Sequence, residues 1–391
     1  MTEKPFQDRL YYQDSHLARF TAQVVECRWD EKRGSYGVVL DRTAFFPEGG
    51  GQYADTGMLG GIRVRDVRER EGLVVHYLEG PLDPGTRAEG VLDYEQRFSR
   101  MQQHSGEHIV SGLVHRHFGY DNVGFHLGQE QVTMDFNGSL TPENLRQIEQ
   151  EANEAVFRNI SIQVTYPDRE ELAALEYRSK KELEGPVRIV TVPGYDVCAC
   201  CAPHVERTGE IGLIRLVDAI RYKGGTRVTM ACGFRALKDY REKEASVRDI
   251  SRLLSARPEE VAGAVERLQQ EARQWREKLV HMQNAHMEAR LAAMGDHVVH
   301  EIVFEEELDK HAARRFVDAA MDQCSGLCAL FLGNDSDGYQ YTIGSRHVDL
   351  KELLRDFHRQ FPGKGGGKAP MVQGTVRGTR KELEEYLRKI E

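Results

Sequence analysis

Two short pairs of metal-type side chains, about ninety residues apart, constrain this chain most: His104-Ser105-Gly106-Glu107-His108 and Cys200-Cys201-Ala202-Pro203-His204. Met101, His104, His108, Ile109, Leu113 and His117 recur at three and four, which predicts a helix from Asp93 to about Phe118. On it the imidazoles of His104 and His108 share one face, about 6 Å apart at Cβ, the spacing that two ligands of one ion need. The later pair adds a thiolate and an imidazole. A His3Cys set suits Zn2+ better than Mg2+ or Ca2+, with one ion per chain. Cys198 and Cys201 compete with Cys200 for the sulfur position, and spacing alone does not choose. The first pair also satisfies an HxxEH pattern, with Glu107 as the general base of a zinc peptidase. That reading leaves the second pair unexplained.

A fold serving these pairs must bring distant segments together, and the chain has the means. Its first 95 residues read as β, with apolar runs such as Phe20 to Val25, Tyr36 to Leu40 and Leu73 to Leu78 separated by Gly, Asp and Pro turns, which predicts a small barrel or sandwich. A second helix is expected from Thr141 to Asn159, opened by Ser139, Thr141 and Pro142. Val261, Val265, Leu268, Ala272, Trp275, Leu279, Met282, His286 and Ala289 then step by four and three, a heptad seam that must bury its stripe on its own chain or on a partner copy. In the last hundred residues two strands, Leu327–Leu332 and Tyr339–Ile343, flank the turn 334–338. A helix follows from Val348 to Phe361, then a glycine-rich loop from Gly363 to Pro370. This loop is not a P-loop, because Lys368 is followed by Ala369. The division expected is 1–95, 96–241, 242–295 and 296–391, an α+β multidomain chain.

The formal net charge of -9 excludes a uniformly basic, histone-like binder of nucleic acid, but not local basic surfaces. Residues 215–241 carry Arg215, Arg221, Lys223, Arg227, Arg235, Lys238 and Arg241 against Asp218 and Asp239, net +5. Residues 355–381 carry Arg355, Arg359, Lys364, Lys368, Arg377, Arg380 and Lys381 against Asp356, net +6. Seven cysteines, an odd number with three crowded at 198–201, suit reduced thiols or a metal site better than a disulfide scaffold. With no apolar run of about 18 residues and no secretory or transit signal, a cytoplasmic address without membrane attachment is expected.

Asp41 to Gly57, with its Gly49-Gly50-Gly51-Gln52 run, leaves bare backbone that a ligand or an RNA end can approach, with Thr43 and Gln52 offering hydrogen bonds; composition alone favours a β-hairpin turn with surface polar residues. That segment, His104 to His108, Cys200 to Gly212 and Lys223 through Leu237 resemble the editing domain of alanyl-tRNA synthetases and the free-standing alanyl-tRNA editing proteins. Gly363 to Gly374 is similar to their C-terminal DHHA1-type domain. The resemblance runs over nearly the whole chain and implies the long form: a glycine-motif barrel, a zinc-containing editing domain, a helical connector and a DHHA1-like α/β domain, without an aminoacylation domain. It places His104, His108, Cys200 and His204 on the zinc ligands, Gln52 beside the scissile ester, and Thr43 on the threonine that recognises a serine hydroxyl. It departs at Cys200-Cys201-Ala202-Pro203-His204, where Cys-Gly-Gly-Thr-His is usual, a change that bears on amino-acid preference.

The expected function is hydrolysis of tRNA(Ala) mischarged with serine or glycine, with Lys223, Arg227, Lys364 and Lys368 contacting the tRNA. Zinc either activates water or positions substrate while Gln52 places the water. Glu107 is then outward-facing or behind a ligand. The homodimer open to this chain runs through the connector and C-terminal domain. A zinc peptidase, or a non-catalytic tRNA- or synthetase-binding protein with structural zinc, are the competing classes.

Overall fold

Apolar residues alternate along the start of the first long strand, and the alternation decides where they go. In the computed structural model, which describes residues 7–128, 131–179, 187–295 and 298–390, Phe20, Ala22 and Val24 of β1 (Arg19–Asp30) point inward while their neighbours face out. With β2 (Ser35–Leu40), β3 (Gly57–Leu59), β4 (Ile62–Arg70), β5 (Leu73–Leu78) and β6 (Arg87–Leu92) it closes a barrel in the order β1-β2-β5-β4-β3-β6. Closure leaves the barrel no exposed sheet edge. Val38, Phe45, Leu59, Val64, Val74 and Leu78 fill its interior.

The barrel feeds directly into α1 (Tyr94–Phe118), the helix that carries the first metal-type pair. This helix is buried on nearly every side from Arg97 to Val114. Two sheets and a helix cover it. One sheet has the order β12-β13-β8-β7, built from β7 (Asn122–Leu127), β8 (Val132–Phe136), β12 (Ile214–Tyr222) and β13 (Gly225–Cys232). The other is β9 (Gln163–Thr165), β10 (Ile189–Val192) and β11 (Asp196–Ala199). The helix is α2 (Pro142–Arg158), where Thr141 and Asn144 close a capping box. A Cβ at position 106 would meet Cys232 Sγ at 2.5 Å, so Gly106 keeps that face of α1 against β13 and leaves His104 and His108 the other.

One buried ion pair fixes α1 to the barrel. Arg97, 1% exposed, sends Nε to both oxygens of Asp55, Nη2 to Asp55 and to the Ala44 carbonyl (2.6 Å), and Nη1 to the Ser15 carbonyl (3.1 Å). Asp55 also accepts the Phe46 N–H at 2.7 Å, and Arg100 donates to the Ala54 carbonyl at 2.8 Å. Both ends of the segment 44–55 are therefore tied to the first turns of α1.

Residues 1–247 form one compact unit and residues 248–391 another, so the barrel shares a unit with the second metal-type pair, and the long helix shares one with the last hundred residues. In the second unit α4 (Val261–Ala292), following α3 (Gly233–Leu254), buries Ala264 and Met287. It leaves Leu268, Trp275, Leu279 and Met282 more than half exposed, so the middle of the heptad stripe is open. The sheet there has the order β14-β15-β16-β18-β17, from β14 (Glu301–Glu305), β15 (Cys328–Asn334), β16 (Gly338–Gly344), β17 (Gly363–Lys368) and β18 (Met371–Val376). α5 (Lys310–Ala320) and the end of α4 cover one face, and α6 (Leu350–Gln360) and α7 (Arg380–Leu387) the other. No helix among the described residues is long and apolar enough to cross a membrane.

The structure corrects the glycine-rich loop at 363–370. Residues 363–368 are an edge strand, β17, paired with β18. One of its glycines and the glycine paired with it on β18 have a packing cause: a Cβ would lie 1.8 Å from the Tyr341 hydroxyl at Gly365 and 2.4 Å from it at Gly374. That hydroxyl is held 2.9 Å from His358 Nε2. Sequence periodicity missed the strand because glycine has no side chain to alternate.

Replacing Arg97 with Met leaves the buried Asp55 carboxylate with Arg100 at 3.6 Å and the Phe46 N–H in place of a full guanidinium fork and should cost up to about 3–5 kcal/mol, whereas Arg97→Met with Asp55→Leu removes both charges and recovers much of it. Urea unfolding of the two variants beside the wild type reads this directly.

Candidate metal centre

Three imidazoles and one thiol converge where α1 passes the end of β11. His104 and His108 lie one turn apart with ring centroids 5.5 Å from each other, and the His204 ring stands 4.9 Å from the first and 4.5 Å from the second. Cys200 Sγ is 3.6 Å from His104 Nε2 and 3.4 Å from His204 Nε2. One ligand atom from each of the four lies within 4.8 Å of all the others.

Outer partners explain why these atoms face inward. Gln52 Oε1 takes His104 Nδ1 at 3.2 Å, Ser105 Oγ takes His204 Nδ1 at 3.0 Å, and Asp196 Oδ2 lies 2.9 Å from His108 Nδ1. The Asp196 contact is close but not aligned with the ring N–H, so it counts as an electrostatic contact rather than a linear hydrogen bond. With each Nδ1 turned to an acceptor, each Nε2 is left for an ion. Arg188 holds the second pair's turn by donating to the carbonyls of Cys200 (2.9 Å) and Ala202 (3.0 Å).

Electrostatics separate the three cysteines that spacing left equal. Burial opposes a charged Cys200, yet His104 and His204 bring its pKa well below that of a free thiol. Burial pushes the Cys198 thiol up to about 11 and raises Cys201 as well. His204 is pushed down to about 3 by burial and the His108 charge, which keeps it neutral. His108 is raised well above the usual histidine range: burial opposes its charge, but Cys198, Asp196 and Cys200 outweigh it. A neutral imidazole donor and a stabilised thiolate are what a borderline-soft cation takes. His108, Asp196 and Cys198 form a second grouping, but Arg178 already occupies both Asp196 oxygens. The residues therefore fit Zn2+ at His104, His108, Cys200 and His204.

The glycine run is a tight turn. Gly49 and Gln52 exchange backbone hydrogen bonds at 3.1 and 3.0 Å around Gly50 (φ 61°) and Gly51 (φ 80°), the positive pair that a two-residue hairpin requires. The turn delivers Gln52 to His104 and leaves its Nε2, buried, without a hydrogen-bond partner among the described residues.

Thr43 and Arg227, also expected at the site, have partners of their own. Thr43 is fully buried, its hydroxyl 2.8 Å from His76 Nε2 and accepting the Phe45 N–H at 3.0 Å. His76 points Nδ1 at the Val38 carbonyl, and burial lowers its pKa to about 4, so its Nε2 accepts and Thr43 donates. Glu107 is buried rather than outward-facing. Its Oε1 takes Ser111 Oγ and Asn122 Nδ2, both at 2.7 Å, and Oε2 is 4.0 Å from His108 Nε2. Arg227 is paired with Asp135 through both oxygens and lies over the Tyr222 ring, while Lys223 is exposed beside it. Lys364 and Lys368 are exposed on β17. Sequence reasoning missed Asp196, Arg178 and Arg188, which carry no local pattern.

Residues 187–244 match the family described as threonyl and alanyl tRNA synthetase second additional domain, residues 3–96 the class II (A) tRNA synthetases, and residues 295–391 the DHHA1 domain. The chain is 27% identical over 397 residues to the alanyl-tRNA editing protein AlaX-L of Pyrococcus horikoshii, covering 96% of each. It is 30% identical over 413 residues to an alanine–tRNA ligase of Methanopyrus kandleri, taking in 99% of this chain and 45% of that protein. A ligase of Halobacterium salinarum is 32% identical over 372 residues, 88% of this chain and 39% of the ligase. The chain thus spans less than half the length of these ligases and nearly all of the editing protein. With three domain matches in this order, the chain belongs to the family of the long-form alanyl-tRNA editing proteins and the corresponding half of the alanine–tRNA ligases.

Proposed function

We propose that this chain is a trans-editing hydrolase that cleaves the aminoacyl ester of mischarged tRNA(Ala), with seryl- and glycyl-tRNA(Ala) as its substrates. The observation that carries the reading is Gln52: a buried amide locked to His104 through its oxygen, with its Nε2 hydrogens free for a ligand. Leaving such a donor unpaired costs about 1–3 kcal/mol, which an ester carbonyl or the attacking water recovers on binding. Zinc held by His104, His108, Cys200 and His204 would supply a Lewis acid beside that amide. The protein itself orients the ester through Gln52 and keeps His204 neutral.

Editing has a physical rationale. A pocket shaped for alanine excludes serine by only about 1–3 kcal/mol, so a second site must read the hydroxyl that the first tolerates. Thr43 is the residue the resemblance offers for this. Its hydrogen goes to His76, so it reads serine only by accepting the serine O–H on its remaining lone pair. Glu107 ties Asn122 to Ser111 of α1 through Oε1 and faces His108 with Oε2, so on this reading it supports a ligand instead of acting as a peptidase base.

The tRNA-facing charge falls on exposed Lys364 and Lys368, with Lys223 contributing and Arg227 contributing least because Asp135 neutralises it. Neutralising Lys364 and Lys368 together should reduce the slope of log affinity for tRNA against log salt by about two, near one per lysine. Filter binding across a salt series measures it, and an unchanged slope removes both residues from the interface.

Metal analysis of purified protein should find one zinc per chain in wild type and Cys201→Ser, and none in Cys200→Ser. Zinc retained in Cys200→Ser would move the ligand to another sulfur. In single-turnover deacylation of seryl-tRNA(Ala), Gln52→Ala should lose about a hundredfold in rate, the scale of one oriented donor, while keeping its zinc. A near-wild-type rate would take the amide out of the reaction.

A further inference from the structure

Asp196 is a buried charge and Arg178 a partly buried one, and the proposed ester chemistry touches neither. Asp196 begins β11, 6% exposed, and its carboxylate is gripped by the Arg178 fork: Nε to Oδ1 at 2.7 Å and Nη2 to Oδ2 at 2.9 Å. Oδ2, the oxygen shared with Nη2, is also the one 2.9 Å from His108 Nδ1. Arg178 is strapped in place by its backbone as well. Its N–H donates to the Val197 carbonyl and its carbonyl accepts the Ala199 N–H, both at 2.9 Å, so it runs beside Cys198 as a short parallel bridge. This bridge ends one residue before Cys200, so the strap bears on two members of the His104, His108, Cys200 and His204 set.

We infer that Arg178 is a positioning residue for the metal centre, acting through Asp196 to fix the His108 ring and through its backbone to fix the approach of β11 to Cys200. The inference rests on the zinc reading above. The geometry sets what each part does. Asp196 alone, on a strand, has a freely rotating carboxylate; a planar fork that fills both oxygens in their own plane leaves one orientation. Oδ2 is then presented to Nδ1, and the ring's Nε2 is left on the metal side. Lysine carries the same charge but a single point of contact, so it restores the charge without restoring the plane.

The test uses the full-length protein with its own metal removed and Zn2+ or Co2+ added back. Zinc affinity is measured by competition with a chromogenic chelator, and the Co2+ form gives a visible ligand-field and thiolate charge-transfer spectrum. Arg178→Met should weaken zinc binding by about 10–100-fold, the loss usual for an outer partner of a metal-bound histidine, and alter the cobalt spectrum. Arg178→Lys should lie between Met and wild type, and Asp196→Asn should match Arg178→Met. Should Arg178→Met fail to fold, Arg178→Lys and Asp196→Asn carry the same comparison. Affinity within twofold of wild type and an unchanged cobalt spectrum in the folded variants would overturn the inference, even with a lowered melting temperature, because such an arginine only supports the fold. Wild-type protein that binds neither ion tightly fails the zinc reading itself, and is told apart because it needs no variant.

Discussion

The Arg97–Asp55 pair sets the rest of the first unit. A guanidinium and a carboxylate removed from water are stable only when nearly all their hydrogen-bonding capacity is met, and here it is met by Ser15, Ala44 and Phe46 of the barrel side. The pair therefore fixes the ends of the segment 44–55 against α1. Gln52 lies between those ends and His104 lies two turns further along the same helix. The 3.2 Å contact between Gln52 and His104 thus rests on a pair that includes neither residue.

Around the centre, each imidazole has a different acceptor on its outer nitrogen: an amide oxygen for His104, a hydroxyl for His204, a carboxylate for His108. The three differ in charge, and the histidines differ with them. The carboxylate and nearby sulfurs raise His108, while burial and that same charge lower His204. A cation held by His104, His108, Cys200 and His204 would take the place of a proton in the cluster, so its binding would be coupled to proton release. The amide on His104 keeps its Nε2 without a hydrogen-bond partner among the described residues, which marks the side from which the proposed ester would be held.

Much of this was legible in residue order. The HxxxH face predicted α1 because apolar residues at three and four recur around it, and Pro142 with Thr141 marked the start of α2 to the residue. The metal set was legible as types, but the choice of Cys200 over Cys198 and Cys201 needed either the family resemblance or the field of two nearby imidazoles, which no spacing encodes. Asp196 and Arg178 were not legible, because a carboxylate 88 residues from its histidine leaves no periodic trace. The glycines divided differently. At 49–51 the sequence held two readings, and the structure shows a two-residue turn that also sets down Gln52. At 363–368 it indicated a loop, but the residues form an edge strand whose lack of side chains makes room for a tyrosine hydroxyl.

The proposed editing role requires that a buried site with an unspent amide donor remove the wrong amino acid from tRNA(Ala) and spare the right one. The most direct measurement is the single-turnover rate at which the wild-type protein releases labelled amino acid from seryl-, glycyl- and alanyl-tRNA(Ala) under one condition. Serine should be released faster than alanine by at least the roughly tenfold that a single buried hydrogen bond supplies. Equal rates for serine and alanine, or no release of serine at any protein concentration, would contradict it.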